Sequence, residues 1–388
     1  MKFSFLCSQI YGDTAHYRTQ TGWPVPPAGY RAEIGERSTD FALDQAALAE
    51  ELGFDMVSVS EHHYWPSLPT PNPAVLAAAL TQRTSRVRIG WMGPLVSIGN
   101  PLRVAEEAAM LDQLSHGRLD LLLLRGTPNE FVSYNTNPAE SRGRTQEAIA
   151  LITKALTEPQ PFGWQGRYYR YPTISVWPGV SQHPHPPIYG SGNSPESVRY
   201  AVAHGHKIGI SFYPSALTAK LVRSYQDACA EAGRKTRPSD ILYRAHVAVA
   251  ETERDAKALA DRYYGEGGLG QAAAFMGRGA TVASELRPPP PTELGTDADG
   301  KNREADAKGT AAGFALGKLD FFGTPDTVVR QLTEFSEESG VGLFDLGFSG
   351  GGLTEDERAR SLTLFGREVM PKLRHLGADR DEEYADAQ

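Results

Sequence analysis

Short apolar runs alternate with helical patterns along most of the chain, and this alternation constrains the fold more than any other feature. The runs have the length and the β-branched or aromatic content of buried strands. Eight of them occur, at residues 3–7, 56–59, 87–91, 119–124, 187–190, 206–212, 241–250 and 343–347. Strands joined by helices pair in parallel, and eight such units close into a barrel. We therefore predict an α/β protein with a (β/α)8 TIM-barrel fold, in a single domain over residues 1–388.

Helix boundaries support this order of elements. Asn100 precedes Pro101 and Ser194 precedes Pro195, and each pair combines an N-cap side chain with a proline in the first turn. Thr354 is followed three residues later by a glutamate, which predicts a capping box. These signals place helices shortly after the predicted strands.

Two stretches depart from the alternation. Four consecutive prolines at residues 288–291 are followed by a polar run without aromatic residues, and we predict a mobile insertion at residues 265–317. Residues 164–174 contain three tyrosines and are predicted to form a surface ribbon or a lid. The barrel is therefore expected to carry insertions between its units.

The composition excludes several classes of partner. The chain has 39 basic and 47 acidic residues, so it offers no basic stripe for nucleic acid and no polybasic patch for a membrane surface. Its two cysteines and the absence of a CxxC motif do not fit a disulfide framework or a structural zinc site. No run of 18 apolar residues occurs. We expect a soluble, cytoplasmic protein whose partner is a small molecule.

The strand at residues 56–59 ends in a group of reactive side chains, Glu61, His62 and His63, followed by the aromatic pair Tyr64 and Trp65. In enzymes with a (β/α)8 barrel the active-site residues lie at the carboxyl ends of the barrel strands. His62 is therefore a candidate catalytic residue, although a histidine here could instead brace the barrel rim.

Six segments in one consistent order resemble the bacterial luciferase-like flavin-dependent monooxygenases. They are residues 54–63, 100–107 and 110–118, the pair Arg125 and Gly126, residues 187–194 and residues 364–371. The resemblance implies an oxidoreductase in which the barrel binds reduced FMN, O2 adds to the flavin as a peroxide adduct, and a small organic substrate is oxygenated. It also implies a separate flavin reductase, which delivers the reduced FMN, and a homodimer.

The resemblance also implies roles for the residues after the second strand. His62 would face the reactive edge of the flavin, where an imidazole can exchange a proton near neutral pH. His63 would either support its neighbours or contact the substrate. Apart from the resemblance, the aromatic cluster of Tyr64 and Trp65 suggests that they line a substrate pocket, although surface loops have a similar composition.

Four residues match the family's phosphate site: Arg125, Asn193, Ser194 and Ser197. A planar guanidinium suits a phosphate group, and a helix start offers N–H groups and hydroxyls to an anion. The resemblance would place these residues around the FMN phosphate.

The flavin ring would lie against Met92 and Gly93, where family members often have a non-proline cis peptide bond. A tight turn, or a cis bond before Pro94, is the alternative. Phe212 matches an aromatic residue beside the ring, and could instead pack at the barrel rim.

Three other functions stay open. A deazaflavin-dependent hydride-transfer oxidoreductase of the same superfamily would use the same barrel, and a non-catalytic flavin-binding subunit would keep it without turnover. A third alternative is a metal-dependent hydrolase, suggested by the histidine pairs at residues 62/63, 183/185 and 204/206. No acidic ligand set accompanies these pairs, so no metal site is predicted. The motifs do not specify a substrate, because this scaffold hosts many reactions.

Overall fold

The computed structural model describes residues 1–12, 24–64, 69–266, 321–348 and 353–376. Within these ranges the strands are β1 Lys2–Leu6, β2 Met56–Val59, β3 Arg88–Leu95, β4 Leu119–Leu124, β5 Phe162–Gln165, β6 Arg170–Ile174, β7 Ile188–Ser191, β8 Lys207–Ser211, β9 Ile241–Val249, β10 Phe321–Gly323 and β11 Leu343–Gly347. The helices are α1 Ala32–Glu51, α2 Pro73–Arg83, α3 Pro101–Leu114, α4 Pro128–Ser133, α5 Ser141–Thr157, α6 Pro195–Ala203, α7 Ser215–Glu231, α8 Glu253–Glu266, α9 Pro325–Ser339, α10 Glu355–Leu364 and α11 Met370–Leu373.

Eight parallel strands close into a barrel, as predicted. The order is β1, β2, β3, β4, β7, β8, β9 and β11, and β11 pairs with β1 to complete the ring. The short strand β10 pairs in parallel with the end of β9, opposite Val247 to Val249. The (β/α)8 fold is therefore confirmed, with one additional strand at its edge.

Side chains along the barrel strands alternate between two environments. Val57 and Val59 of β2 point outward and belong to the large core between the barrel and its helices. The intervening Met56 points inward and packs with Met92 and Leu122 in a smaller cluster inside the barrel. This period of two is what a parallel barrel with helices on its outer face requires.

The amino-terminal end of the barrel is closed by a polar network. Arg88, at the start of β3, donates from Nε to Asp120 Oδ2 at 2.6 Å and from Nη2 to the Leu119 carbonyl at 2.9 Å. The same Nη2 reaches Gln182 Oε1 at 3.0 Å. Gln182 in turn donates to buried Asp112 of α3 at 2.8 Å. The network ties two strands, one helix and the loop before β7 together.

Strands β5 and β6 form an antiparallel hairpin on the outer surface. One carboxylate of α5, that of Glu147, accepts hydrogen bonds from Trp164 Nε1 at 3.1 Å and from the backbone N–H groups of Tyr168 and Tyr169 at 2.9 Å. The ring of Tyr169 is buried beneath the hairpin. The predicted surface ribbon is therefore present and is attached to α5.

The predicted insertion falls almost entirely outside the described residues. Only residues 265 and 266 are placed, as the last two residues of α8. Residues 267–317 of the predicted insertion lie outside the described residues.

Candidate functional site

A cavity of about 450 Å³ opens at the carboxyl ends of the barrel strands. Its wall includes the loop after β2, the start of α4, the first turns of α5 and the start of α6. Its size is in the range of small-molecule and cofactor sites. The carboxyl ends are where parallel barrels place their active sites.

His62 lines this cavity, where the sequence predicts a catalytic residue. Its backbone N–H donates to the Thr70 carbonyl at 3.1 Å. Its Nδ1 lies 3.5 Å from Oε1 of Glu130, whose side chain is only 3% exposed. Burial raises the pKa of the Glu130 carboxyl, but the interactions with His62 and Thr127 outweigh this effect and hold that pKa below its usual value. Glu130 is therefore a carboxylate beside the imidazole.

The other residues of the Glu61 to Trp65 segment are divided between the cavity and its surroundings. Glu61 lines the cavity and accepts from the Leu95 backbone N–H at 3.1 Å. Its other oxygen is 2.9 Å from Nε2 of His63, which is buried, lies outside the cavity lining and packs edge-on against Tyr134. Tyr64 is about half exposed and is also outside the lining.

Contact of His63 and Tyr64 with a substrate therefore stays a prediction. Its support in the structure is their place in the chain, since they are the first and second residues after His62, which lines the cavity. Trp65 lies outside the described residues.

The start of α6, with the predicted group of small polar residues, also lines the cavity. The Ser194 hydroxyl accepts from the Ser197 backbone N–H at 3.2 Å and lies 2.9 Å from the Ser197 hydroxyl. The Asn193 side chain accepts from the Ser211 backbone N–H at 3.2 Å, which joins the helix start to the end of β8. All three predicted residues line the cavity. Together with the positive end of the helix dipole they form a surface suited to an anion.

Three arginines contribute to the cavity wall. Arg125 follows β4, as predicted, and Arg142 of α5 contacts Glu196 in the first turn of α6. Arg244 of β9 was not predicted; its Nε donates to Asp345 Oδ2 at 2.8 Å. The planar guanidinium groups of Arg125 and Arg142 are of a type suited to a phosphate group.

The predicted flavin-ring residues meet different surroundings. Gly93 lines the cavity with a φ of +136°, a conformation that favours glycine. Met92 is fully buried inside the barrel and does not line the cavity. The expected cis bond between Met92 and Gly93 is wrong, and so is a cis bond before Pro94. The described cis peptide bonds are Trp177–Pro178 and His183–Pro184.

Phe212 lines the cavity directly after β8. Its φ is +58°, and its ring stacks on His246 with centroids 5.3 Å apart. It therefore lines the cavity and packs at the rim, while its contact with a flavin ring stays a prediction.

A buried polar network below the cavity was also missed. Asp345 of β11 is fully buried; its Oδ1 accepts from the Ser58 hydroxyl at 2.6 Å while its Oδ2 holds Arg244. Charged residues within the apolar runs of β9 and β11 were the available signal. Glu130 carried no such signal, because it follows β4 by a loop and its contact with His62 depends on the tertiary fold.

Two negative findings concern only the part of the chain that the structure describes. There, no group of three or more His, Cys, Asp or Glu side chains is arranged to hold a metal ion. No described helix combines the length and apolar character needed to cross a membrane.

Sequence comparisons identify related proteins. The oxygenase component of a flavin-dependent trigonelline monooxygenase from Acinetobacter baylyi is 29% identical over 57% of this chain and 62% of its own length. An uncharacterised Sinorhizobium fredii protein, y4wF, is 33% identical over 48% of this chain and 53% of its own. These alignments thus span little more than half of each relative. The alkanal monooxygenase alpha chain of Photorhabdus luminescens is 24% identical over 84% of this chain and 89% of its own.

Solved structures share the fold over nearly the whole chain. Monooxygenase RslO1 from Streptomyces bottropensis matches with a TM-score of 0.72 and 26% identity, over 96% of this chain and 99% of its own. The oxygenating constituent of 3,6-diketocamphane monooxygenase from Pseudomonas putida, in complex with FMN, matches with a TM-score of 0.68 and 21% identity. The match covers 96% of this chain and 98% of its own. An F420-dependent secondary alcohol dehydrogenase also matches with a TM-score of 0.68 and 17% identity, over 96% of this chain and 99% of its own.

The motifs of the loop after β2, the residues that follow β4 and the start of α6 converge on one cavity of the barrel. The sequence profile of the luciferase-like monooxygenases matches residues 18–342, most of the chain. The chain therefore belongs to the luciferase-like monooxygenase family.

Proposed function

We propose that the protein is the oxygenase component of a two-component monooxygenase, which uses reduced FMN and O2 to oxygenate a small organic substrate. One observation carries this proposal: one cavity is lined both by a helix start suited to an anion, at Ser194 and Ser197, and by a histidine–carboxylate contact, His62 with Glu130. A ligand with a phosphate at one end and a reactive ring at the other fits such a cavity. The Acinetobacter baylyi relative, named as an oxygenase component, supports the two-component arrangement.

The residues present fit FMN. The phosphate would be held by Ser194, Ser197 and the N–H groups of the first turn of α6, with Arg125 and Arg142 supplying positive charge. Gly93, whose missing side chain leaves its backbone open to the cavity, offers a surface for a flat ring. When bound, FMN would supply the two electrons needed for O2 activation.

The chain's own side chains would perform the remaining tasks. Leu95, Leu124 and Ile149 give the cavity an apolar wall that excludes water from the reacting groups. His62, which also lines the cavity, would hold or transfer a proton at its ring. The substrate would enter from the side of the cavity nearest this histidine.

Anaerobic titration tests the proposal directly. We expect reduced and oxidised FMN to bind, and a Ser194→Ala/Ser197→Ala variant to bind FMN about tenfold more weakly, because two hydroxyl donors are removed at about 0.5–1.5 kcal/mol each. Asn100→Ala is the matched control, since Asn100 caps α3 outside the cavity lining. Its FMN affinity should equal that of the wild type.

Two results would overturn this function. One is that no flavin binds. The other is that the protein reduces the deazaflavin F420 while reduced FMN and O2 give no oxygenated product. Adding a flavin reductase with its nicotinamide should sustain O2 consumption that depends on substrate if the two-component proposal is right.

We also propose that the protein is a homodimer. On the outer surface Val75 of α2 and Met110 of α3 are 68% and 52% exposed, on two helices that contact each other. A second copy could cover this apolar surface. Light scattering at two protein concentrations tests the proposal, and a monomer at both would refute it.

A further inference from the structure

Glu130 is a buried carboxylate with one oxygen engaged and the other directed at His62. It is the third residue of α4, and its Oε2 accepts from the Thr127 backbone N–H at 2.8 Å and forms a short hydrogen bond with the Thr127 hydroxyl. Its Oε1 lies 3.5 Å from Nδ1 of His62. The start of α4 therefore fixes one oxygen and leaves the other for the imidazole.

The orientation of His62 is constrained from both sides. Its backbone N–H is bonded to Thr70, and Nδ1 is buried against Glu130. The side chain is nevertheless one quarter exposed and lines the cavity. Because Nδ1 is buried, the exposed part belongs to the rest of the side chain, which includes Nε2.

A carboxylate can only accept hydrogen bonds, so its contact with Nδ1 is favourable only when that nitrogen carries the hydrogen. In a neutral imidazole the tautomer is set by the hydrogen bond that one of the two nitrogens makes. Hydrogen-bond distances in ligand-free catalytic sites are often long and shorten on binding, which accommodates the 3.5 Å separation. Glu130 thus favours the form of His62 with a bare Nε2.

Resting on the function proposed above, we propose that Glu130 is a positioning residue that holds His62 as the Nδ1–H tautomer. Nε2 then faces the cavity as an acceptor and takes one proton from an O–H or N–H group of the bound substrate. The substrate's O–H or N–H bond breaks, its electron pair stays on the substrate atom, and an Nε2–H bond forms. The Glu130 carboxylate offsets the positive charge of the imidazolium until the proton is returned to the product.

The chain contains a matched control for this role. Glu357 is the third residue of α10 and accepts from the Thr354 backbone N–H at 2.9 Å, so it occupies the same capping position as Glu130. It is outside the cavity lining. Glu130→Leu and Glu357→Leu therefore both remove a capping glutamate, but only the first removes the partner of His62.

Nitrogen-15 NMR of the labelled full-length protein, without cofactor, reports the tautomer of each histidine. The His62 signals are assigned by their absence in His62→Gln. We expect Nδ1–H to dominate in the wild type and in Glu357→Leu, and the Nε2–H form to rise at least tenfold in ratio in Glu130→Leu. If Glu130→Leu does not fold, Glu130→Gln replaces it. The glutamine can donate to Nδ1 as well as accept from it, so the expected rise is smaller, threefold or more.

Two results would overturn the proposal: a wild-type His62 protonated mainly at Nε2, or a tautomer ratio that is the same in the wild type and the folded Glu130 variant. FMN affinity of the wild type is measured on the same samples. Failure of the wild type to bind FMN would reject the proposed monooxygenase but leave the tautomer result to decide the role of Glu130.

Discussion

Two arginine–aspartate pairs inside the same barrel differ in how completely they are hydrogen-bonded. At the amino-terminal end, Arg88 bonds to Asp120, to a backbone carbonyl and to a glutamine. Below the cavity, Arg244 bonds through Nε to Asp345, and its buried Nη2 has no hydrogen-bond partner among the described residues.

The pair with fewer hydrogen bonds is the more deeply buried one. The Arg244 and Asp345 side chains are 9% and 0% exposed, whereas Arg88 is 36% exposed. The pair that is harder to keep in the interior is thus the less completely satisfied one. A buried ion pair often contributes little net stability, because the desolvation of the two charges offsets their attraction.

The largest effect is expected from removing the deeper carboxylate. Asp345→Asn leaves Arg244 buried without a counter-ion, and the free energy of unfolding should fall by about 3–5 kcal/mol. Asp120→Asn should cost less, because Arg88 is partly hydrated and keeps its other two partners. Urea unfolding of both variants measures the difference, and an equal or larger loss for Asp120→Asn would contradict the comparison.

Replacing each network by apolar residues should separate the two regions further. Ser58→Ala with Arg244→Met and Asp345→Leu should leave stability unchanged or raise it by up to about 1–4 kcal/mol, because an incompletely satisfied buried pair is removed. Arg88→Met with Asp120→Leu should cost about 1–3 kcal/mol, because its backbone and glutamine partners lose a donor. Thermal and urea unfolding measure the change in the free energy of unfolding for each set of replacements. Changes of the same sign in the two sets would contradict the proposed difference between the two networks.

The amino-terminal end of the barrel also contains a buried histidine, His206 just before β8, which should make stability sensitive to acid. Burial, then the nearby positive charges, lowers the pKa of His206 to about 3, and neither ring nitrogen has a hydrogen-bond partner among the described residues. The unfolded chain therefore takes up this proton first, so stability should fall as the pH drops below about 6.5, by roughly 1.5–2 kcal/mol at pH 5. The loss should continue until the pH reaches about 3.

His206→Leu tests this effect, because it should remove that part of the pH dependence. Exposed His116→Asn serves as the control and should keep it, because His116 is not among the groups that lower the pKa of His206. The measurement is urea unfolding at pH 7.5 and pH 5. An unchanged pH dependence in His206→Leu would show that another group is responsible.

The smallest effect is expected at the helix caps. Ser194→Ala and Asn100→Ala should each lower the free energy of unfolding by about 1 kcal/mol, because each removes an N-cap acceptor. Only Ser194 lines the cavity, so only its replacement should also weaken FMN binding. Calorimetry of both variants, with and without FMN, measures the two effects, and equal losses of FMN affinity would place the phosphate elsewhere.

Most of the barrel follows from local patterns in the sequence. The strand β4 has the predicted bounds, residues 119–124, because an apolar run is bracketed by a glycine and an arginine–glycine pair. The third strand was predicted to end at residue 91 but continues to Leu95. Gly93 and Pro94 are typical of a turn, yet the strand passes through them with a shift of register between Met92 and Leu95. Pairing with β4 thus outweighed the local turn signal.

The candidate site was predictable where a residue type and a strand end coincide. His62, Arg125 and Ser194 each follow a strand closely, so alternation alone places them at one edge of the barrel. Glu130, Arg244 and Asp345 were not predicted, because their importance lies in pairs more than 60 residues apart, such as His62 with Glu130. No local pattern encodes such a distance.

The Glu147 attachment of the β5–β6 hairpin has a consequence for protein engineering. The same helix that carries Glu147 supplies Thr145, Gln146 and Ile149 to the cavity wall. A replacement hairpin of different length could be exchanged as a module, provided that it keeps two backbone donors and one indole for this carboxylate. Changes in the hairpin that release Glu147 would instead alter the helix, and through it the shape available to a substrate, without any substitution in the cavity itself.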